Sequence, residues 1–356
     1  MAKVFVKFMK IFYVVNFIVT TMFILSGCSN VQSSVDKDFS LEKSREMNQI
    51  GHEYSERSLH INALDAYEAA IKFDPSNAYA WYNKGHALDN LGEYKKALHA
   101  YEKAIKLSGQ NKEIINRSLT SKCNTLMKLK WYTSALRTCN EALDIDPSSV
   151  ESNYNKAVVL YLMNKKTESL SVHKTVTSLD SNYLNSWLSL ATLYEEFDDE
   201  SGAYEAYRKV SELDPLNSKA WYYQVVYLFE KNKLKESIPP IDNFVKLRPG
   251  SFEGWFIRGL VFHKLKQKQE ALFSLEKAYS ISNRNHNLIE LLGSYYLEME
   301  AFEKAWKLAD DTIQLYPENH TILSIKYHYH LKNDEHEKAQ QIMNKINLIE
   351  SRQANK

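Results

Sequence analysis

The sequence predicts an all-α fold made of tandem helical hairpins, on the evidence of its composition and of two periodicities. Its 356 residues include only 10 Gly and 7 Pro, a scarcity typical of helices joined by short turns. Five prolines are spaced by 72, 68, 34 and 68 residues, and four tryptophans by 106, 34 and 34. All these gaps are multiples of 34, apart from four extra residues in the first gap of each series. The residues are Pro75, Pro147, Pro215, Pro249 and Pro317, and Trp81, Trp187, Trp221 and Trp255.

The repeating unit resembles the tetratricopeptide repeat, whose signature is W-x2-L-G-x2-Y, then A-x3-F and a closing Pro. Residues 184–217 carry this signature as Trp187, Leu190, Ala191, Tyr194, Ala203, Tyr207 and Pro215. The resemblance implies a right-handed α-solenoid of about nine hairpins with a concave groove. The predicted repeats are 44–77, 78–111, 116–149, 150–183, 184–217, 218–251, 252–285, 286–319 and 320–350, with Lys112–Ile115 as an insertion and 351–356 as a polar tail.

Two adjacent prolines interrupt the pattern in repeat 218–251. Pro239 and Pro240 fall early in its second helix. Proline lacks the backbone N–H and clashes with the preceding turn of a helix. This helix is therefore predicted to start late or to be kinked.

The first residues have the layout of an export signal. Lys3, Lys7 and Lys10 precede an apolar stretch, Ile11–Leu25. Fifteen helical residues span roughly 22 Å, less than the ~30 Å hydrocarbon core of a bilayer. This arrangement favours a secretory signal, and an uncleaved anchor helix is the alternative.

The end of this stretch resembles the lipobox of bacterial lipoproteins. Leu25, Ser26, Gly27 and Cys28 give an aliphatic residue, two small residues and the cysteine. The resemblance implies cleavage of residues 1–27 and lipidation of Cys28, for which palmitate is a typical acyl group. Residues 28–43 are polar and are predicted to be a flexible tether. In Gram-negative lipoproteins an Asp after the cysteine favours the inner membrane, so the resemblance, with Ser29 at this place, implies the periplasmic face of the outer membrane if the source is Gram-negative.

The charge balance argues against a nucleic-acid partner. The formal net charge is +1, and without residues 1–27 the chain has 42 basic and 44 acidic residues. A nearly neutral chain has no basic footprint for a phosphate backbone.

The sequence shows no catalytic motif, and we expect neither enzymatic activity nor a cofactor. It lacks a P-loop, a dinucleotide-binding glycine fingerprint and a nucleophile elbow. His52 and His86 occupy the same place in adjacent repeats, but no carboxylate or thiol lies in register with them. No metal site is predicted.

Cys123 and Cys139 both occupy signature positions in repeat 116–149. Signature positions of the two helices pack together within a repeat, so we expect the cysteines to meet there, either as two small buried side chains or as a disulfide, which an exported compartment permits.

A stripe on the first helix of each repeat is predicted to line the groove. It is offset from the signature residues and is rich in aromatic side chains, which suit an apolar or amphipathic segment of another protein. Some of these rings are expected to pack only against neighbouring repeats. The stripe comprises Tyr79, Tyr82, His86, Tyr154, Val158, Tyr161, Tyr222, Val226, Phe229, Phe256 and Leu260.

The sequence therefore predicts a lipid-anchored, non-catalytic scaffold that binds proteins and helps to assemble or regulate a cell-envelope complex. The alternative is an accessory subunit that activates or positions an envelope enzyme such as a peptidoglycan hydrolase. Both rest on analogy, because a fold does not fix a function.

Overall fold

The computed structural model describes residues 37–282 and 285–354. Within these residues all regular secondary structure is α-helical, and no strand occurs. The chain divides into an N-terminal body that ends at Ser181 and a C-terminal body that begins at Asn182. The prediction of an all-α solenoid of hairpins is confirmed.

Each body is a stack of hairpins in which consecutive helices pack against each other. The described helices of the N-terminal body are α1 (37–56), α2 (His60–Phe73), α3 (Ala78–Asn90), α4 (Tyr94–Leu107), α5 (Lys112–Lys128), α6 (Tyr132–Ile145), α7 (Val150–Leu162) and α8 (Lys166–Leu179). Those of the C-terminal body are α9 (Leu184–Glu196), α10 (Glu200–Leu213), α11 (Ser218–Glu230), α12 (Ile238–Leu247), α13 (Phe252–Lys264), α14 (Lys268–Ile281), α15 (His286–Glu298), α16 (Phe302–Thr312), α17 (His320–Lys332) and α18 (His336–Ala354).

The turn inside every hairpin contains one residue with a positive φ. In the turn between α5 and α6, Lys130 has φ 62°, and the Trp131 N–H donates to the Leu126 carbonyl at 2.9 Å. This is the left-handed residue and the backbone bond that commonly end a helix. The nine residues recur every 34 positions, with one gap of 38. They are Ser58, Gly92, Lys130, Asn164, Asp198, Asn232, Lys266, Glu300 and Asp334.

The four-residue insertion lengthens a helix. Lys112–Ile115 form the first turn of α5, which has 17 residues, whereas α3 has 13. Four residues are close to one helical turn of 3.6. The added turn therefore keeps the apolar face of α5 nearly in register, and its Ile114 is fully buried.

The predicted tether is too long. Helix α1 already includes residues 37–43, while residues 28–36 lie outside the described part. The polar residues of this stretch include Lys and Glu, which are good helix formers. The Asn77 side-chain amide also donates to the buried Ser44 hydroxyl at 2.9 Å and so ties α1 to the N-cap residue of α3.

Two other boundaries depend on helix-breaking residues. Helix α12 begins at Ile238, with proline in its first turn, and has 10 residues, so the predicted late start is confirmed. The predicted polar tail is helical as far as Ala354, because no Gly or Pro stops α18. Its last two residues lie outside the described part.

The two helices of a hairpin meet where a small residue faces a large one. A Cβ added to Gly85 would lie 2.6 Å from Cε1 of Tyr101, and a Cβ added to Gly51 would lie 2.5 Å from Cε1 of Tyr67. These are the eighth and twenty-fourth positions of their repeats. A small residue at the eighth position allows the close approach that buries the large partner.

Cysteines fill this pair of positions in repeat 116–149. Cys123 and Cys139 are both fully buried, with their Cα atoms 5.5 Å apart, and the structure joins their sulfur atoms in a disulfide. The bond closes a loop with a sequence separation of 16. Closing a loop of this length stabilises the folded protein by roughly 3 kcal/mol in the chain-entropy model.

We expect Cys123 and Cys139 to be oxidised in protein purified without reductant. Iodoacetamide added to the unfolded, unreduced chain should leave both cysteines unmodified, and it should label them only after reduction. Peptide mass spectrometry distinguishes the two states. Quantitative labelling of both before reduction would contradict the bond.

The next repeat carries a buried histidine at the twenty-fourth position. His173 is 1% exposed and meets the edge of Tyr154, with the ring centroids 5.8 Å apart. Burial lowers the pKa of His173 to about 4. Because its pKa in the unfolded chain is about 6.5, the unfolded state binds more protons between pH 6.5 and 4.

We expect this histidine to make the N-terminal body acid-sensitive. The free energy of unfolding should fall by on the order of 3 kcal/mol as the pH falls from 6.5 to 4, because the unfolded chain then gains a proton that buried His173 does not bind. His173→Tyr, which copies Tyr207 opposite Ala191, should reduce the loss of thermal stability between pH 7 and pH 4.5. The control His52→Gln, at an exposed site, should retain the full loss. An unchanged pH dependence in His173→Tyr would contradict the assignment.

Candidate functional site

The predicted groove stripe is accessible in both bodies. None of its eleven residues is buried, and each is half-buried or exposed. The N-terminal body carries them on α3 and α7, and the C-terminal body carries them on α11 and α13. The two groups are described separately below as the N-terminal strip and the C-terminal strip.

The N-terminal strip is divided by polar contacts. Its residues on α3 and α7 are separated by α5, which contacts both helices. Arg117 of α5 lies over the Tyr82 ring, at 5.1 Å from the centroid. The Tyr79 hydroxyl accepts a hydrogen bond from the Asn111 side-chain amide at 3.1 Å. His86 is exposed, and its Nδ1 lies 3.1 Å from the side-chain nitrogen of Asn90.

A charged group of α3 is held inside this network. Asp89 is 9% exposed, its carboxylate accepts from the Thr125 hydroxyl at 2.8 Å, and Lys128 pairs with its other oxygen. These contacts join α3 to α5. On α7, Tyr154 packs on His173, while Tyr161 is 37% exposed. The N-terminal strip therefore offers separate tyrosines rather than one apolar surface.

The C-terminal strip is more apolar and more continuous. Tyr222 packs on Phe244 of α12, with their ring centroids 5.0 Å apart. At the other end of α11, the ammonium of Lys264 from α13 lies 4.5 Å from the Phe229 ring centroid. Phe256 stacks on Phe252 at 5.5 Å. Val226 and Leu260 are half-buried on the same two helices.

A cleft opens at one end of the C-terminal strip. Its volume is about 770 Å³, and α11, α12 and α13 all contribute to its wall. Smaller clefts of about 410 and 480 Å³ occur between repeats of the N-terminal body. The larger cleft, called the α11–α13 cleft below, is lined by Ser218, Lys219, Tyr222, Phe244, Leu247, Arg248, Pro249, Gly250, Ser251 and Glu253.

The sequence stripe identified only one residue of this wall, Tyr222. It missed Phe244, Leu247 and Arg248, because these come from the end of a second helix and the turn after it. Arg248 could have been identified from the sequence. It replaces the aspartate that precedes proline in repeats such as the one that ends at Asn217.

The described part of the chain holds no group of three or more His, Cys, Asp or Glu side chains that could bind a metal ion. Its helices also include none with the length and apolar character needed to cross a bilayer. Cys28 and the apolar stretch before it lie outside the described residues.

Three segments match family profiles of the tetratricopeptide repeat. Residues 78–111 and 252–285 each match a profile described as tetratricopeptide repeat, and residues 51–92 match one described as TPR repeat. The first two segments coincide with repeats defined above from the sequence. Tetratricopeptide repeats are therefore present in both bodies.

Similar proteins share these repeats at low identity. The human protein O-mannosyl-transferase TMTC3 is 21% identical over 76% of this chain and 31% of its own length. A TPR repeat-containing protein of Methanocaldococcus jannaschii is 22% identical over 72% of this chain and 39% of its own length. This chain thus spans between three and four tenths of the length of these two relatives.

A solved structure supports the fold. The pilF protein of Pseudomonas aeruginosa superposes with a TM-score of 0.51 at 20% identity, over 64% of this chain and 98% of pilF. At this identity the similarity shows a shared fold and nothing further.

Proposed function

We propose that this protein is a non-catalytic scaffold that binds segments of other proteins, and that the C-terminal strip is its main binding surface. The observation that carries the proposal is the accessibility of Tyr222, Val226, Phe229, Phe256 and Leu260 on two helices of one body. Aromatic side chains supply large contact areas with little conformational entropy to lose. Tetratricopeptide repeats, present at residues 252–285, are a fold that offers such grooves to peptides.

The proposed setting is a bacterial cell envelope, with the protein held to a membrane by lipid on Cys28. The support is the lipobox-like order of Leu25, Ser26, Gly27 and Cys28 after an apolar stretch. Two or more acyl chains give stable anchoring, whereas one gives only marginal binding. The proposed process is assembly or regulation of an envelope complex.

A second proposal is an accessory subunit that activates or positions an envelope enzyme. The two proposals share the groove, and they differ in whether the bound partner changes its activity. An assay of the partner's activity with and without this protein separates them.

The groove is tested by capture of a partner. In-cell crosslinking followed by mass spectrometry identifies the partner, and the purified full-length protein then captures it. Tyr222→Ala with Phe229→Ala should weaken this capture at least tenfold, because the variant removes two aromatic contacts from one surface. The matched control is Phe273→Ala, which truncates an exposed ring on the second helix α14. Equal capture by the double variant, with helicity and thermal unfolding like the wild type, would contradict the groove assignment.

The anchor is tested by fractionation of cells that express the full-length chain. The wild type should sediment with membranes and carry acyl chains on Cys28 after loss of residues 1–27. Cys28→Ala should remove the acylation and the cleavage that depends on it, as mass spectrometry of the N-terminal peptide would show. A Cys28 peptide that is neither acylated nor N-terminal in the wild type would contradict the anchor.

A further inference from the structure

The turn between α12 and α13 differs in charge from the corresponding turn of four other repeats. At this position four repeats carry aspartate: Asp74, Asp146, Asp180 and Asp214. The Asp74 carboxylate accepts from the Ser76 N–H at 2.9 Å, and Asp214 accepts from the Leu216 N–H at 3.2 Å. Such bonds stabilise the turn locally. Repeat 218–251 has Arg248 instead, which cannot accept this bond and reverses the charge.

The Arg248 guanidinium belongs to the wall of the α11–α13 cleft. Its Nε donates to the Ser218 hydroxyl at 3.2 Å. No carboxylate of the described residues forms an ion pair with it, and the side chain is exposed. An arginine has five N–H donors in a planar fork, so most of its hydrogen-bonding capacity faces the cleft or solvent.

The other cation of the cleft wall is already paired with a carboxylate. The Lys219 ammonium pairs with Glu195 at 2.9 Å. The Glu253 carboxylate accepts from the Ser251 hydroxyl at 3.0 Å. Arg248 is therefore the cationic group of this wall that is available to a ligand.

Apolar side chains lie beside this cation. The rings of Tyr222 and Phe244 pack 5.0 Å apart, and Leu247 completes the apolar part of the wall. An apolar floor next to a cation excludes part of the water that would screen a charge. A ligand that fits both features carries an anionic group and an apolar group a few ångströms apart.

We infer that the α11–α13 cleft binds a short partner segment in which an acidic residue adjoins a large apolar residue. The carboxylate forms a two-pronged hydrogen-bonded ion pair with Arg248, and the apolar side chain packs on Tyr222 and Phe244. Arginine matches a carboxylate in geometry as well as in charge. The inference rests on the proposed function and narrows it to a class of partner sequence.

The two smaller clefts carry the opposite charge at the position of Arg248. The cleft of about 410 Å³ contains Asp74, and the cleft of about 480 Å³ contains Asp146, at the place that Arg248 holds in the larger one. Among the three clefts, an arginine at this turn position occurs only in the α11–α13 cleft.

The test measures the affinity of the purified full-length protein for three fluorescein-labelled hexapeptides. Each has an alanine background and one central phenylalanine, followed by aspartate, asparagine or lysine. Fluorescence anisotropy should show the aspartate peptide binding at least tenfold more tightly than the asparagine peptide, because only a carboxylate forms the charge-assisted pair. The lysine peptide should bind most weakly.

Arg248→Asp is the decisive variant, because it installs the residue that four other repeats carry at this turn and so should fold normally. It should weaken binding of the aspartate peptide at least tenfold and shift the preference toward the lysine peptide. The matched control Arg208→Ala removes an exposed arginine of α10 whose partners are Glu205 and Glu212. Its peptide affinities should equal those of the wild type.

Equal affinity for the aspartate and asparagine peptides, or no measurable binding of any of them, would overturn the inference. An Arg248→Asp variant with wild-type preference would overturn it as well. These failures differ from failure of the proposed function, which appears as unchanged partner capture by the Tyr222→Ala and Phe229→Ala double variant. Tighter binding of the aspartate peptide that is lost in Arg248→Asp and unchanged in Arg208→Ala would support the cleft assignment.

Discussion

Close packing of the two helices of a hairpin at the eighth and twenty-fourth repeat positions is the contact on which much of the described structure depends. Gly85 under Tyr101 is the clearest example, because a single added Cβ would collide with the ring. This contact fixes the distance and the rotation of the two helices. It therefore also decides which face of the first helix stays outside the hairpin. The accessible stripe with Tyr222 and Phe229 is the face that this packing leaves uncovered.

Different residue pairs form this contact in different repeats. Gly259 faces Leu275, Cys123 faces Cys139, and His173 occupies the larger position in the next repeat. Each pair fills the space between the two helices, as close-packed interiors require. They differ in what they respond to, because a disulfide depends on redox conditions and a buried histidine on pH. Repeats of one geometry can thus differ in their sensitivity to the environment.

Much of the fold could be predicted from the sequence, because proline, tryptophan and the small signature residues mark the period directly. Not all the residues that end the first helices could, since four of the nine positive-φ positions carry Ser, Lys or Glu rather than the Gly, Asn or Asp that favour this conformation. The start of α1 was misjudged because Lys37, Glu42 and similar polar residues suit a tether and a helix equally well. Composition cannot separate these states, whereas a tertiary bond such as that of Asn77 to Ser44 does.

The candidate site was predictable in part for the same reason. Helical spacing placed Tyr222, Val226 and Phe229 on an accessible face, which the structure reproduces. Spacing within one helix could not reveal that Phe244 and Arg248 complete a cleft beside them, because these residues approach through packing between helices. Nor could it show that Asp89 is engaged by Lys128 and Thr125. Arg248 is the basic residue at a repeat position that holds aspartate in four other repeats, and this difference is visible in the sequence.

Hydrogen–deuterium exchange of the full-length protein, with and without its crosslinked partner, tests most directly whether the uncovered face is the binding face. Exchange in α11 and α13 should slow when the partner is bound, with little change in the second helices α14 and α16. Protection confined to α14 and α16, or an exchange pattern unaffected by the partner, would contradict it.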